Sequence, residues 1–209
     1  MNTRPPILPL YYLPTVSWFV AAWKQPALYL DVSMPYQKQQ YFSRTFIRQA
    51  PGPLLLSLPV ERRNRHAPIL EKRITFQEKW PQNHWRSIRF AYQNSPYFEY
   101  YAPDLAVRYQ NPPELLWEWN DSLLRLVLGW LGQKSEIRFL TSLNEQVDTY
   151  HDLRTAFGSQ PEELPAGFMP TPYTQVFDEF VPNLSILDLI FNLGPEAGRV
   201  LSTGRKGYR

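Results

Sequence analysis

Apolar positions along this chain alternate between short runs bounded by prolines and longer stretches of helical period. Ile7–Tyr12 is a mainly apolar run that predicts a strand, closed by Leu13-Pro14. Thr15 stands where an N-cap belongs, and Val16–Trp23 continues as an apolar helix that Pro26 ends. Ala27–Val32 predicts a buried strand finishing at Asp31. A strand–helix–strand opening starts a parallel α/β unit. Leu54–Val60 and Ile69–Phe76 predict further strands, joined by the basic loop Glu61–Pro68. Asn83–Gln93 has helical period: Gln82, Arg86, Arg89 and Gln93 share one face, and His84, Ile88 and Ala91 another, with Trp85 and Tyr92 nearby. Pro113–Leu131 carries the clearest helical spacing, with Pro113 suited to a first turn and Gly132 to a stop. Ile137–Leu140 predicts a short strand, the segment 146–171 is loop-rich, and Leu184–Phe191 predicts a helix ended by Gly194-Pro195. The expected fold is α/β, a single domain over residues 1–209. A mainly parallel sheet flanked by helices, in a Rossmann-like three-layer arrangement, precedes a loop-rich C-terminal third.

Composition narrows the class. A chain of 209 residues can bury a sizeable core without covalent staples. The absence of Cys excludes disulfides, thiolate nucleophiles and Cys-ligated zinc. Val16–Trp23 falls far short of the ~20 apolar residues of a membrane span, and Arg4 is followed by prolines instead of a leader's apolar core. A cytoplasmic protein with no membrane partner is expected. The net charge of +3 is unevenly placed. Arg62, Arg63, Arg65, Lys72 and Arg73 outnumber Glu61 and Glu71, and the tail adds Arg205, Lys206 and Arg209. That is shorter than the basic stripe of a nucleic-acid binder, so no nucleic-acid partner is expected.

Three places concentrate chemistry. Trp80–Tyr101 packs Trp, Tyr and Phe with His84, Arg86 and Arg89, a mixture that either lines a ring-stacking pocket or forms a core helix. His84 is either a general base or a satisfied core histidine. Asp31, at the carboxyl end of a parallel strand, is followed by Gln37, Lys38, Tyr41 and Arg44. These hold a phosphate or carboxylate, or else Asp31 caps a turn and the cations are solvated. Ser185, Asp188 and Asn192 form a narrow polar stripe on an otherwise apolar helix, which faces water on base rates or else is buried as a network. No glycine-rich phosphate loop is present, so any phosphate falls to side chains and to the helix start near Thr15. His66 and His151 lack ligand-spaced partners, and neither a metal nor another cofactor is proposed.

Several blocks, taken in order, resemble the WbqC-like protein family of bacteria. They are Tyr11-Tyr12-Leu13-Pro14, Tyr36-Gln37-Lys38-Gln39 with Tyr41 and Arg44, and Leu56-Ser57-Leu58-Pro59-Val60. His84-Trp85-Arg86 with Ala91-Tyr92, Ser95–Tyr101 and Pro182–Leu189 complete the set. The resemblance implies a cytoplasmic protein tied to surface-polysaccharide (O-antigen) biosynthesis, with relatives thought to modify nucleotide-linked amino sugars by attaching an acyl or aminoacyl group. Phe42 and Ser43 stand here where the family tends to show a polar run before Arg44, which weakens an anion site built there. On the enzyme reading, the catalytic candidates are His84 and Asp188, one or the other of which moves the proton. Tyr12, Asp31, Gln37, Lys38, Arg44, Trp85, Arg86, Tyr92, Tyr97, Asn183 and Ser185 contact a small-molecule substrate. The other reading is a non-catalytic scaffold that uses Arg62–Arg65 for a partner.

Overall fold

The computed structural model describes residues 4–142 and 149–204. The basic tail Arg205–Arg209 and positions 146–148 of the expected loop lie outside the described residues. The chain opens with strand β1 (Pro6–Pro9), helix α1 (Val16–Ala22) and strand β2 (Ala27–Asp31). Strands β3 (Arg44–Gln49) and β4 (Gly52–Ser57) follow, then helices α2 (Trp80–Tyr92), α3 (Phe98–Gln110) and α4 (Leu116–Trp130). Strands β5 (Glu136–Leu140) and β6 (His151–Asp152) precede helices α5 (Ile186–Leu193) and α6 (Ala197–Gly204).

A four-stranded sheet, ordered β5-β2-β1-β6, is parallel at every pairing, with Ile7 opposite Tyr29 and Leu28 opposite Ile137. The α/β expectation, with its mainly parallel sheet and flanking helices in a Rossmann-like layout, therefore holds. β3 and β4 form a separate antiparallel hairpin, with Phe46 opposite Leu55. The strand expected at Leu54–Val60 thus belongs to this hairpin and ends at Ser57. β1 stops at Pro9, short of the expected Tyr12, because the Tyr12 amide turns away to donate to the Tyr41 carbonyl at 2.9 Å.

The strand expected at Ile69–Phe76 is not one. Ile69–Glu71 forms a single 3₁₀ turn after Pro68, and Ile74 makes only an isolated bridge to Val60. The β-branched residues there serve burial, with Ile69 at 0% and Ile74 at 3% exposure. α4 begins at Leu116, later than the expected Pro113, since the Leu116 amide is drawn to the Lys72 carbonyl at 2.9 Å. Gly132 takes the left-handed conformation (φ 63°) required of a helix stop. Trp18, Phe19, Leu28, Leu30, Leu123 and Leu124 are all buried to the last percent in one apolar core.

Candidate functional site

In chain order the parallel strands read third, second, first, fourth, so the winding direction reverses between β1 and β6. Open α/β sheets bind ligands outside the carboxyl ends of their strands at such a reversal. Asp31 ends β2, Asp152 ends β6, and Arg154 lies two residues beyond. The Arg154 guanidinium donates from Nη1 to Asp31 Oδ2 at 2.8 Å and from Nη2 to Asp152 Oδ2 at 2.8 Å, spanning the end of β1. Ser33 donates from its amide and hydroxyl to Asp31 Oδ1 at 2.8 and 2.7 Å. Asp31 is therefore fully partnered, and its carboxylate orders a turn and an arginine. Hydrogen bonds from Arg154 hold the Asp152 carboxyl below its usual range. Sequence reasoning missed Arg154 and Asp152 because β6 is two residues long and leaves no strand pattern.

The loop between β2 and β3 rises beside this edge. Gln37 and Lys38 are exposed, and Arg44 is half-buried, donating from Nη1 to the Gln39 carbonyl at 3.1 Å with its guanidinium 5.8 Å over the Phe46 ring. Gln40 Oε1, Tyr41 Oη and Arg44 Nε are buried, yet none makes a hydrogen bond. The Tyr41 ring packs on Tyr11 at 5.8 Å, and Tyr11 packs on Phe157 at 6.1 Å, which ties the loop to the ends of β1 and β6. Burial first, then the nearby Glu163, Tyr11 and Glu162, pushes the Tyr41 hydroxyl up.

The helix start at Thr15 is closed to an anion. The Val16 amide donates to the Leu184 carbonyl at 3.0 Å, the Ser17 amide to Asn183 Oδ1 at 2.9 Å, and the Trp18 amide to Thr15 Oγ1. The start of α5 is tied back in the same way. Its Ile186 amide donates to the Pro14 carbonyl at 2.9 Å, and Ser185 Oγ donates to the Leu13 carbonyl at 3.2 Å. Leu13 and Asn183 sit at φ 44° and 55°, strained for residues with side chains, and turn the two segments into each other. Asn183 and Ser185, expected at a ligand, here cap two helices.

Half of the aromatic stretch is core: Trp80, Tyr92, Phe98 and Tyr101 are buried, whereas Phe90 and Tyr100 are exposed. His84, Ile88, Ala91 and Tyr92 form the buried face of α2, as the period predicted, while Arg86 is exposed. His84 Nδ1 lies 2.9 Å from Tyr12 Oη, and Tyr12 Oη lies 2.5 Å from Tyr109 Oη. Burial holds the imidazole down to about 4, against the pull of a hydrogen bond to the Ser57 backbone. The ring is neutral at pH 7, so the carbonyl of Ser57 takes its N–H and Nδ1 accepts the Tyr12 proton. Tyr109 then donates to Tyr12, which completes a phenol–phenol–imidazole chain. Trp85 is half-buried and stacked on Phe98 at 6.2 Å, and Tyr97 is half-buried against Gly194.

The polar stripe of α5 is buried, which overturns its expected exposure to water. Ser185 and Asp188 are at 0% and Asn192 at 7% exposure. Asp188 Oδ2 accepts from the Tyr173 hydroxyl at 2.7 Å and from Gln175 Nε2 at 2.8 Å. Burial pushes the carboxyl up to about 6, with Tyr173, Gln175 and Tyr92 pulling it back. Asp188 Oδ1 makes no hydrogen bond. His84 and Asp188 belong to separate networks. Tyr92, the α2 residue beside Asp188, stands eight positions from His84, or about 12 Å along the axis. A cavity of about 10 Å³, lined by Val16, Val20, Phe168, Tyr173, Asn183 and Val200 among others, runs under the 168–183 segment. Its room is on the scale of one water.

Comparison with known proteins agrees with the blocks quoted above. The chain is 26% identical over 192 residues to uncharacterized protein Rv1507c of Mycobacterium tuberculosis (strain ATCC 25618 / H37Rv), covering 78% of this chain and 82% of that one. No solved structure matches. The model of the WbqC-like protein family matches residues 10–161 and 164–200. That span takes in the β1–α1–β2 unit, the loop with the unpartnered atoms and the Asp188 network, and the chain belongs to the WbqC-like protein family.

Proposed function

We propose that this chain is a cytoplasmic enzyme of surface-polysaccharide (O-antigen) biosynthesis that transfers an acyl or aminoacyl group to a nucleotide-linked amino sugar. The carrying observation is the sheet's carboxyl edge at the winding reversal, where Gln40, Tyr41 and Arg44 each keep a buried polar atom without a partner. Unpaired buried polar groups are costly, and a ligand that pairs them recovers that cost. Lys38 and Arg44 meet the diphosphate, and Gln40 and Tyr41 meet sugar hydroxyls. In the transfer step the sugar amine attacks the carbonyl carbon of an activated ester or thioester. The C–N bond forms as the C–O or C–S bond breaks. Asp188, poised at about 6, takes the amine proton and returns it to the leaving oxygen or sulfur. His84, neutral and hydrogen-bonded to Tyr12, holds the loop after β1 in place.

The test is thermal unfolding with nucleotides and nucleotide-sugars at millimolar concentration, compared with a Lys38→Ala/Arg44→Ala variant. The parent is expected to gain stability and the variant to lose that gain. No shift with any nucleotide removes the proposal.

A second reading, a scaffold in the same pathway, is favoured by one observation. Arg62, Arg63 and Arg65 are exposed on one loop, and none joins an ion pair among the described residues. On that reading, replacing the three by Ala abolishes capture of an acidic partner, while Asp188→Asn and Arg44→Ala leave biological function intact.

A further inference from the structure

Asp188 is not the only buried group left with an unused bond in its neighbourhood. Arg48, on β3 and 3% exposed, has no partner for Nε. Its backbone amide donates to Tyr92 Oη at 3.0 Å, and its charge acts on Asp188. One irregular segment lies over both residues. Tyr173 and Gln175 donate to Asp188, the Phe177 ring sits 5.1 Å from the Arg48 guanidinium, and the Glu179 carbonyl accepts from Arg48 Nη2 at 3.1 Å. Gln175 also closes the segment on itself. Its Nε2 donates to the Val181 carbonyl, and its Oε1 accepts the Val181 amide, both at 2.9 Å.

A carboxylate oxygen and a guanidinium N–H, both without a hydrogen bond under the same segment, are the complement of a secondary amide, which offers one N–H and one C=O. We infer that Asp188 and Arg48 form the subsite that reads the amide of an N-acylated sugar, and that the 173–181 segment covers this subsite in cis with its own hydroxyl and carboxamide. The inference rests on the transferase reading and deepens it. The amide N–H donates to Asp188 Oδ1, and the carbonyl accepts from Arg48 Nε–H. In the transfer step the same two atoms face the attacking nitrogen and the oxygen that gains charge, so Arg48 stabilises the oxyanion. The covering segment must lift for the sugar to enter.

The test uses UDP-N-acetylglucosamine and UDP-glucose, which differ by the acetamide, with titration calorimetry on three folded proteins. A Tyr173→Phe/Gln175→Leu variant is expected to bind UDP-N-acetylglucosamine about tenfold more tightly than the parent does, and about tenfold more tightly than it binds UDP-glucose. Adding Asp188→Asn removes the second preference. With Tyr173 and Gln175 gone, the carboxamide that replaces the carboxylate still needs an acceptor for its own N–H, and that donor confronts the ligand's N–H. The parent gives an independent readout. UDP-N-acetylglucosamine, and not UDP-glucose, is expected to speed chymotryptic cleavage after Tyr173, Phe177 or Phe180. Equal affinity for the two sugars, or unchanged cleavage, overturns the subsite and leaves the nucleotide-sugar reading standing. Binding of neither sugar overturns both.

Discussion

Tyr12 and His84 lie 72 positions apart in the chain and share a 2.9 Å hydrogen bond in its interior. With Tyr12 as donor to Nδ1 the bond needs a neutral imidazole, and burial supplies one by holding the ring down to about 4. Asp188 is displaced the other way, up to about 6. The two shifts oppose each other in stability. Below about pH 6.5 the unfolded chain protonates its histidine while folded His84 resists, so acidification toward pH 4 favours unfolding. Folded Asp188 keeps its proton up to about pH 6 whereas the unfolded carboxyl releases it near 3.8, so that contribution is full below 3.8 and is lost as pH rises through 6. Each limb is at most about 3 kcal/mol. Urea unfolding between pH 4 and 6.5 is expected to show Asp188→Asn weakening on acidification and His84→Gln weakening as pH rises, each relative to the parent. Difference profiles without slope refute the assignment.

Asn183 holds its left-handed conformation and caps the second amide of α1 at once. Asn183→Gly relieves the first and loses the second, whereas Asn183→Ala loses the cap and keeps the strain. Cap loss costs about 1 kcal/mol and the strained conformation about 1–2 kcal/mol more. Thermal unfolding is therefore expected to place Gly level with or above the parent, and both above Ala. Equal loss in the two variants means the side-chain cap is the whole effect.

Gly194 stops α5 at φ 52°, and a Cβ there would overlap the Tyr97 ring. Gly194→Ala combines a left-handed alanine with a clash against a half-buried ring, an expected loss of about 2–4 kcal/mol. Tyr97→Ala in the same chain opens the space and recovers the clash but not the backbone strain. Chemical denaturation of the two single variants and the double variant reads the coupling. Strict additivity rules out the contact.

The period of α2 revealed which side chains are buried, because His84, Ile88, Ala91 and Tyr92 keep a helical face whatever packs on it. It did not reveal that Tyr12 and Tyr109 complete the His84 chain, since those partners come from the loop after β1 and from α3, both distant in sequence. α3 was hidden by Pro103 inside it, a residue that ordinarily argues against a helix, and α6 by its two glycines. β3 escaped because Arg44, with Thr45 and Arg48 among apolar neighbours, shows no clean alternation. Asp31 was correctly placed at the end of a strand. Its partner Arg154, 123 positions away, is set by the sheet order, which no local pattern encodes.

Lys72 donates to the Asn64 carbonyl at 2.7 Å, the Arg63 carbonyl at 3.2 Å and the Glu61 carbonyl at 3.4 Å, and lies 5.1 Å over the Tyr36 ring. The residue is 2% exposed, so the ammonium is a pin beneath the loop that displays Arg62, Arg63 and Arg65. Lys72→Met keeps the length of the side chain and removes every donor. Charged hydrogen bonds are worth about 1.5–3 kcal/mol, so the loop should open roughly ten- to hundredfold more often. Limited trypsin digestion reads this directly, because cleavage after the three arginines follows the open population when closing is fast. A tenfold or greater rise at these sites, with other sites unchanged, identifies the ammonium as what orders the loop. Unchanged cleavage assigns that role to the Ala67–Asn64 turn and the Tyr36–Ala67 backbone bond instead.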